Sequence, residues 1–328
     1  MKAIVYSDSG SRELLRCEEI AEPTPGDVEV LIKVRAASVN PLDAHLSRHP
    51  FLRRVLSALS KRKINRPGRD VAGEVEAVGS LVTQFKPGDA VFGLCGGAFA
   101  EYACASQSAL VMKPDEASFE QAASVPLAGL TALQGLRDKG EIQPGQKVLI
   151  NGAAGGVGTF AVQIAKSFGA EVTGVCSTRN VEMLRSIGAD HVIDYTREDF
   201  TKSGQHYDLI FDLVANHSFS ALMGALAPRG TYIGAGVVGF GGSMIGLLTR
   251  LIKELVLSRF VSQKFGTFMT KASREDLVIM GQLMEARKIT PVIDRCYSLS
   301  EAPEAIRYLE QGHARGKVVI TFEHNSTA

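Results

Sequence analysis

Along the first 124 residues, apolar positions fall in short runs rich in β-branched residues, and Pro and Gly separate the runs. The runs MKAIVY, VEVLIKVRAAS, VAGEVEAVG and GDAVFGL predict strands. The segments PTPGD (23–27) and KPGD (86–89) predict turns between them. We therefore expect a β-rich N-terminal domain.

From about residue 125 the pattern alternates between strand and helix. Strands such as KVLIN, EVTGVC and YDLIFDLV are separated by helical segments such as VGTFAVQIAKSFG. This alternation predicts βαβ units around a parallel sheet. The tail 291–322 predicts strand, helix and strand, and we expect it to return to the first domain. The predicted fold class is α/β, with one domain from 1–124 and 288–328 and a doubly wound domain from 125–287.

Two segments raise the question of lipid contact. Residues 48–66 predict a basic amphipathic helix, whose alternative interpretation is a partly solvated helix packed over the domain. Residues 230–249 carry no charge and are long enough for a membrane span, but their glycines disfavour an isolated helix. We expect a buried strand, a glycine-rich loop and a helix start there, and no stable membrane insertion.

Composition narrows the class of protein. The chain has 328 residues, 45% of them hydrophobic and 22% charged, with a net charge of +1. These values are typical of a soluble globular protein, and they provide no global field that would attract nucleic acid. The five cysteines lack zinc-site spacing and fit reduced thiols. The N-terminus, MKAIVYSDSG, predicts a strand rather than a signal peptide, so we expect a cytoplasmic location.

The strongest local signal is the segment KVLINGAAGGVGTFAVQIAK (147–166). An apolar strand ends at Asn151, a glycine-rich turn follows, and a helix starts near Gly156. The pattern G-x-G-x-x-G is present as Ala153, Gly155 and Gly158, with its first glycine replaced. Such a turn brings the backbone and a helix N-terminus close to a pyrophosphate. It predicts a dinucleotide site, and a tightly packed turn without a ligand is the alternative.

The end of the next strand discriminates between nicotinamide cofactors. NAD sites commonly carry an Asp or Glu there for the ribose 2′-hydroxyl. Here the strand EVTGVC leads into Ser177, Thr178, Arg179 and Asn180, without a carboxylate. A hydroxyl and a forked guanidinium suit a 2′-phosphate. We therefore expect NADP(H) rather than NAD(H); a solvated Arg179 is the alternative.

At this point the sequence resembles the zinc-free quinone oxidoreductase (zeta-crystallin-like) branch of the medium-chain dehydrogenase/reductase superfamily. The stretch GQKVLINGAAGGVGTFAVQIAK carries the resemblance most fully. Further matches cover nearly the whole chain: ASVNPLD (37–43), GRDVAGEVEAVG (68–79), FKPGDAVFG (85–93), GADHVIDY (188–195) and GHARGKVVI (312–320).

The resemblance implies a GroES-like catalytic domain and a Rossmann cofactor domain, with nicotinamide and substrate in the cleft between them. It implies cofactor contacts in three groups of residues. They are Ala154, Gly155, Gly156, Val157 and Gly158 at the pyrophosphate; Ser177, Arg179 and Tyr195 at the 2′-phosphate; and His313, Ala314 and Arg315 from the C-terminal segment. For Tyr195, an aromatic half-buried against the sheet is the alternative.

The resemblance also indicates whether the chain has the ligands of a catalytic zinc site. Zinc alcohol dehydrogenases of the superfamily place a Cys ligand where this chain has Asn40, and a His–Glu pair where it has Arg69 and Asp70. Because catalytic zinc needs about three converging ligands, we expect no metal. Cys95 and Cys104 read as buried small hydrophobes.

Without a metal, hydride transfer to an electrophilic carbon remains. The predicted function is an NADPH-dependent reductase of quinones or α,β-unsaturated carbonyls. Two alternatives stay open: a zinc-free NADP-dependent alcohol or carbonyl dehydrogenase, and a non-catalytic NADPH-binding protein.

Catalytic candidates are few. Asn40 is a candidate donor to the developing enolate, Asp43 a positioning residue, and His45 and His49 are possible proton relays. Some relatives carry a Tyr proton donor where this chain has Phe51, so the proton source stays open and solvent is one choice.

Two further expectations concern surfaces. Residues 236–268 read as a lid or wall that, with the apolar face of 51–59, encloses a lipophilic acceptor; core packing is the alternative. By resemblance, we expect a homodimer through the sheet edge around 260–269.

Overall fold

The computed structural model describes residues 1–6, 15–49, 53–55, 57, 65–235 and 262–323. Its strands are β1 Lys2–Tyr6, β2 Leu15–Glu19, β3 Glu29–Val39, β4 Asp70–Val78, β5 Ala90–Leu94, β6 Tyr102–Ser106, β7 Leu110–Met112, β8 Lys147–Asn151, β9 Glu171–Cys176, β10 His191–Asp194, β11 Tyr207–Asp212, β12 Leu226–Gly234, β13 Lys264–Thr267, β14 Ile293–Ser298 and β15 Lys317–Thr321. Its helices are α1 Pro41–Arg48, α2 Phe119–Ser124, α3 Pro126–Gln134, α4 Gly156–Ser167, α5 Val181–Ser186, α6 Phe219–Ala225, α7 Arg274–Glu285 and α8 Ala302–Glu310.

The chain divides into two compact units. The first comprises Met1–Leu130, Ala272–Arg287 and Pro291–Ala328, and the second comprises Thr131–Lys271 and Lys288–Thr290. The predicted boundaries differ from this division mainly at 272–287, which the sequence pattern places in the second domain. That segment groups with the first unit because Met280 of α7 packs against Gly129, and Gly281 lies over Phe92 and Pro114. As limits of independently folding domains, the predicted boundaries stay a prediction.

In the first unit, β3 is the centre of a mostly antiparallel sheet. The strands follow the order β14-β15-β3-β4-β5-β7, and β6 also pairs with β3. The long strand β3 is buried along most of its length, as expected of a strand covered on both faces. β15 pairs with it antiparallel, Val318 opposite Val39. The two ends of the sequence therefore build one sheet around a shared apolar core.

In the second unit, the described strands form a parallel sheet in the order β10-β9-β8-β11-β12-β13. Numbered from β8 within this unit, the order reads 3-2-1-4-5-6, which is that of a doubly wound dinucleotide-binding fold. The predicted parallel sheet is confirmed by this pairing. The strand order reverses at β8, which has β9 on one side and β11 on the other. The glycine-rich turn after β8 therefore lies where such folds bind ligands.

Several elements were not predicted. Strand β2 is mostly exposed and carries charged residues, so its sequence, LRCEE, lacks the alternation of a half-buried strand. Strand β7 has only three residues, too short for a periodic signal. Among the described residues, no helix has the length and apolar character needed to cross a membrane. Most of the predicted basic helix 48–66 and most of the predicted lid 236–268 lie outside the described residues.

Candidate active site

The β8–α4 turn is shaped by close backbone packing. Gly152 has a φ of +84°, and Ala153 donates its backbone N–H to the Val175 carbonyl on β9 at 3.1 Å. A Cβ on Gly158 would stand 2.2 Å from the Gly152 carbonyl oxygen, so only glycine fits at the first turn of the helix. A Cβ on Gly155 would come no closer than 3.5 Å to the Gly152 oxygen. The helix packing therefore requires Gly158, whereas Gly155 leaves open space beside the turn.

The replacement of the first motif glycine by Ala153 has a local explanation. The Ala153 side chain is fully buried and faces Gly174 on β9. A Cβ built on Gly174 would stand only 3.2 Å from the Ala153 methyl. The glycine on the neighbouring strand thus makes room for the methyl group, and the turn keeps its shape.

A buried carboxylate holds together the carboxyl ends of the central strands beside this turn. Asp212, at the end of β11, accepts from the Asn151 side-chain amide at 2.9 Å and from the Tyr232 hydroxyl at 3.0 Å. It also accepts the backbone N–H groups of Val214 and Ala215. Because Asn151 directly precedes Gly152, this network holds the start of the turn. The sequence alone does not indicate this network, since a lone Asp at a strand end gives no distinctive pattern.

The loop after β9 carries Ser177, Thr178, Arg179 and Asn180. Asn180 is buried and donates through its side-chain amide to the Ser177 hydroxyl oxygen at 3.3 Å. The Asn180 carbonyl oxygen Oδ1 is buried without a hydrogen-bond partner. An unsatisfied buried acceptor is costly, so a donor on a bound ligand would stabilise it. This orphaned atom is the clearest sign of ligand binding in the second unit.

Strand pairing brings the predicted 2′-phosphate residues to the carboxyl ends of two neighbouring strands, β9 and β10. Asp194, at the end of β10, pairs with Cys176 at the end of β9, so Tyr195 and Ser177 follow neighbouring strand ends. Tyr195 is 61% exposed, which excludes the half-buried alternative for its ring. Arg179 is also exposed.

Asp194 ties these two strand ends together. Its carboxylate accepts from the Thr178 hydroxyl at 2.5 Å and from the hydroxyl and backbone N–H of Thr196 at 2.8 and 3.0 Å. The hydrogen bond from Thr178 is the main reason that the pKa of Asp194 lies below its ordinary value.

In the first unit, the Asn40 side chain is fully engaged. Its amide N–H groups donate to Asp70 Oδ2 at 3.0 Å and to the Ser38 carbonyl at 3.3 Å. Its Oδ1 accepts from Lys317 Nζ at 2.9 Å. Asn40 is only 3% exposed. With both amide hydrogens occupied by protein acceptors, this geometry disfavours the predicted role of Asn40 as a donor to substrate.

Asp43 lies beside Asn40 at the start of α1. Its carboxylate accepts the backbone N–H groups of Asn40 and Gly68, each at 2.9 Å. The side chain is buried, and this burial raises the pKa of Asp43 from 3.8 to about 6 despite the two backbone hydrogen bonds. The carboxylate therefore holds two backbone segments in place, and its predicted role as a positioning residue stays a prediction.

The residues at the superfamily's zinc position do not fit a metal ion. Asp70 is fully buried, and its two oxygens accept from the Ser38 hydroxyl (2.7 Å), the Leu127 backbone N–H (2.9 Å), Asn40 and Lys317. The Lys317 ammonium already provides a positive charge at 2.9 and 3.3 Å from Asn40 and Asp70 oxygens. Arg69 is exposed and cannot ligate. A cation added here would meet the ammonium's charge and too few free ligands.

The C-terminal segment GHARGK forms a tight turn in the first unit. Gly312 and Gly316 have φ values of +72° and +84°. The Arg315 backbone N–H donates to Asp294 Oδ2 at 2.9 Å, and the Tyr308 hydroxyl donates to the same oxygen at 2.7 Å. Between the glycines, His313 and Arg315 are exposed, and Ala314 packs partly against the core. This arrangement presents the predicted cofactor-contacting residues at the surface of the unit.

The remaining candidates are less informative. The rings of His45 and His49 lie 4.4 Å apart, and burial followed by the charge of His49 lowers the pKa of His45. Their proposed relay role stays a prediction. Cys95 is buried as expected, and burial raises the pKa of its thiol. Phe51 lies outside the described residues.

Comparison with known proteins assigns both parts of the chain to one superfamily. Residues 26–115 match the alcohol dehydrogenase GroES-like domain, and residues 187–320 match the zinc-binding dehydrogenase domain. Quinone-oxidoreductase QR1, chloroplastic, of Triphysaria versicolor is 35% identical, with 98% of each chain covered. The 2-methylene-furan-3-one reductase of Solanum lycopersicum is 36% identical, covering 98% of this chain and 79% of the relative.

These names contradict the expected cytoplasmic location. The similar proteins whose names give a location are chloroplastic or mitochondrial. The expectation was wrong because it rested on few, unpaired cysteines and an N-terminal strand pattern, and neither identifies the compartment in which a protein works.

Solved structures give the same assignment. The quinone oxidoreductase of Coxiella burnetii is 32% identical and superposes with a TM-score of 0.86, covering 98% of this chain and 99% of that one. The predicted family and fold class are therefore confirmed, and a nicotinamide cofactor follows. The chain belongs to the quinone oxidoreductase, or zeta-crystallin-like, branch of the medium-chain dehydrogenase/reductase superfamily, with its GroES-like and Rossmann folds.

Proposed function

We propose that this chain is an NADPH-dependent, metal-independent reductase that delivers hydride to a quinone or an α,β-unsaturated carbonyl compound. The observation that carries the proposal is the β8–α4 turn at the switch point of a 3-2-1-4-5-6 sheet. Bound there, a reduced nicotinamide supplies the hydride, and the protein binds, orients and shields the reactants.

The residues of the second unit suit such a cofactor. The Gly155 backbone N–H donates to the Gly152 carbonyl, whereas Gly156, Val157 and Gly158 form the first turn of α4, where N–H groups lack partners within the helix and can meet a pyrophosphate. The orphaned Asn180 Oδ1 offers an acceptor for a ribose hydroxyl or adenine amino group. From the first unit, we assign His313, Ala314 and Arg315 to the cofactor on the basis of the family resemblance.

The preference for NADP(H) rests on Ser177, Arg179 and Tyr195. Asn180 donates to the Ser177 oxygen, so the Ser177 hydroxyl hydrogen is available for a phosphate. Arg179 adds a permanent positive charge at the same loop. One relative, 33% identical and from Arabidopsis thaliana, is named NADPH-dependent alkenal/one oxidoreductase, which supports this choice.

Because Asn40, Arg69 and Asp70 do not fit a metal ion, we propose acceptors that are already electrophilic. A quinone or enone spreads the incoming negative charge onto its own oxygen, so no Lewis acid is required. The named substrate of the tomato relative is itself a conjugated ketone, and other relatives are named for quinones. Oxidation of simple alcohols lacks this advantage.

Within the first unit, we assign positioning roles to Asn40 and Asp43. Asn40 has no free amide hydrogen for an enolate, and Asp43 holds the backbone of Asn40 and Gly68. Backbone N–H groups then remain as donors to the developing oxyanion. We assign the proton to solvent, because Phe51 stands where some relatives carry a Tyr proton donor.

The test is NADPH oxidation against 1,4-benzoquinone, 9,10-phenanthrenequinone and a 2-alkenal, with metal analysis of the same sample. We expect turnover with quinone or enal, a clear preference for NADPH over NADH, and insensitivity to chelators. Chelator-insensitive oxidation of simple alcohols with NADP⁺, without quinone or enal reduction, would instead indicate an alcohol dehydrogenase. Tight NADPH binding without any oxidation would indicate a non-catalytic binding protein.

We also propose a homodimer, from the family resemblance. Strand β13 is the last strand at its end of the sheet among the described residues, so the 262–267 part of the predicted edge offers unpaired backbone groups. Light scattering coupled to gel filtration would give twice the chain mass of 35.1 kDa. A mass equal to that of one chain would reject the dimer.

A further inference from the structure

Lys317 links two parts of the first unit that the proposed function assigns to different tasks. Its ammonium donates to Asn40 Oδ1 at 2.9 Å and to Asp70 Oδ2 at 3.3 Å. All three residues are 3% exposed or less. In sequence, Lys317 directly follows the turn 312–316, which carries the predicted cofactor contacts His313, Ala314 and Arg315.

The turn has little freedom to move independently of Lys317. The Lys317 backbone N–H donates to the Val292 carbonyl at 2.8 Å, and Gly316 sits against that same carbonyl, where a Cβ would come within 2.2 Å. On the other side, Asp294 holds the Arg315 backbone N–H. The Lys317 backbone therefore fixes the exit of the turn, Asp294 fixes its middle, and the buried ammonium anchors the same residue to Asn40 and Asp70.

The Asn40 amide depends equally on Lys317. An asparagine amide keeps one orientation only when its donors and its acceptor have different partners. Here Asp70 and Ser38 take the two hydrogens, and Lys317 satisfies Oδ1. Without the ammonium, Oδ1 is a buried acceptor without its donor, and the buried Asp70 side chain loses its neighbouring cation.

We propose that Lys317 is a positioning residue that holds Asn40 and the 313–315 turn in one fixed arrangement, so that cofactor affinity and turnover depend on it together. This inference rests on the proposed function. In the proposed function, Lys317 contacts neither cofactor nor substrate. It acts through its contact with Asn40 and through its link to the 313–315 turn. The sequence offers no hint of this role, because a lysine beginning an apolar strand, KVVIT, reads as a solvated strand end.

The test compares Lys317→Met and Lys317→Arg with Lys113→Met in the full-length protein. Lys113 is a matched control in the same unit, since its ammonium also holds a turn, through the carbonyls of Pro114 and Ala117 at 2.8 and 2.6 Å. It contacts no residue assigned to the site. NADPH affinity is measured by titrating NADPH fluorescence, and folding is checked by circular dichroism under the same conditions.

For folded Lys317→Met we expect a dissociation constant for NADPH raised on the order of tenfold and a lower kcat. Lys317→Arg should recover part of the affinity, because it keeps the charge but not the geometry of an ammonium. Lys113→Met should bind NADPH like the wild type. Asn40→Ala should lower kcat without affecting NADPH affinity, and its effect on kcat should not add to that of Lys317→Met, as expected of coupled residues.

Lys317→Met that is folded and binds NADPH within about twofold of the wild type would overturn the inference. If Lys317→Met does not fold, Lys317→Arg decides: a dissociation constant raised by about threefold or more supports the inference, and a wild-type value rejects it. A wild-type protein that binds NADPH but reduces no acceptor contradicts the proposed function, whereas the affinity measurements still test the link between Lys317 and the turn.

Discussion

The Asp43 carboxylate accepts the backbone N–H of Gly68 at 2.9 Å, although 25 residues separate the two along the chain. The same carboxylate caps α1 through the Asn40 N–H. One buried side chain thus joins the start of a helix to the segment that leads into β4. Because the effect of burial outweighs that of the two backbone hydrogen bonds, the pKa of Asp43 rises to about 6.

This raised pKa predicts a pH-dependent stability. In the unfolded chain Asp43 releases its proton near pH 3.8, but in the folded protein it does so only near pH 6. Between these values the folded state binds more protons, so the free energy of unfolding falls as the pH rises from about 4 to 6 and then levels off. Two pKa units correspond to about 3 kcal/mol. Urea unfolding at a series of pH values measures the slope.

The Asp43→Asn variant should lose that slope, because its side chain does not titrate. Asp89→Asn is the control: Asp89 accepts the Lys86 backbone N–H on an exposed turn, so this variant should keep the wild-type slope. If Asp43→Asn retains the wild-type pH dependence between pH 4 and 6, the assigned titration is wrong.

Two glycines of the β8–α4 turn should respond differently to an added methyl group. Gly158→Ala places Cβ 2.2 Å from the Gly152 oxygen, so we expect a loss of stability of about 1–3 kcal/mol or more. Gly155→Ala has its nearest contact at 3.5 Å, so the fold should be unchanged. There the methyl group would instead obstruct the pyrophosphate and weaken NADPH binding on the order of tenfold. Thermal melts and NADPH titrations of both variants separate these effects; wild-type affinity in Gly155→Ala would contradict the assigned contact.

Arg179 should decide between the two nicotinamide cofactors. Removing a charge-assisted contact to the 2′-phosphate costs about 1.5–3 kcal/mol, so Arg179→Ala should lower kcat/KM for NADPH by about 10- to 100-fold and leave NADH use nearly unchanged. Arg185→Ala, which breaks an exposed pair with Glu182 on the next helix, serves as the control. Equal losses with both cofactors in Arg179→Ala would reject the assignment.

The Thr178–Asp194 hydrogen bond should matter for cofactor binding beyond its effect on stability. Thr178→Val removes the link between the ends of β9 and β10, and we expect a KM for NADPH raised several-fold with kcat retained. Thr201→Val is a matched control, since the Thr201 hydroxyl donates to Asp199 at 2.7 Å in a similar turn. Each change should cost about 1 kcal/mol of stability, because each removes one hydrogen bond. Equal KM values for the two variants would contradict the assigned role of the loop.

Much of the fold could be read from the sequence because its signals are local. The strand–turn–helix pattern at 147–166 and the Gly caps at Gly169 and Gly188, both with positive φ, marked the second unit correctly. The helix Arg274–Glu285 groups by its contacts with the first unit, a placement that its sequence does not indicate, since its apolar face shows that it packs but not against which partner. Tertiary contacts such as Met280 on Gly129 leave no periodic trace.

The candidate site was predictable where backbone shape is specified by residue type, and unpredictable where it depends on long-range pairing. The glycine turn and the loop at Ser177 and Arg179 fall in the first class. The Asn40 amide, Asp70 and Lys317 fall in the second, since Lys317 meets Asn40 across 277 positions of sequence. That contact is also why the predicted donor role of Asn40 is disfavoured: its hydrogens are occupied by partners that the local sequence does not identify.

The pairing of β15 with β3 also has a consequence for the nascent chain. On the ribosome, β3 is synthesised early, yet its partner strand emerges only when residues 317–321 leave the exit tunnel. The second unit is nearly continuous in sequence, so its sheet can form while β3 still lacks its partner strand β15. We expect co-translational folding to begin in the second unit, with the sheet of the first unit held incomplete until β15 has emerged.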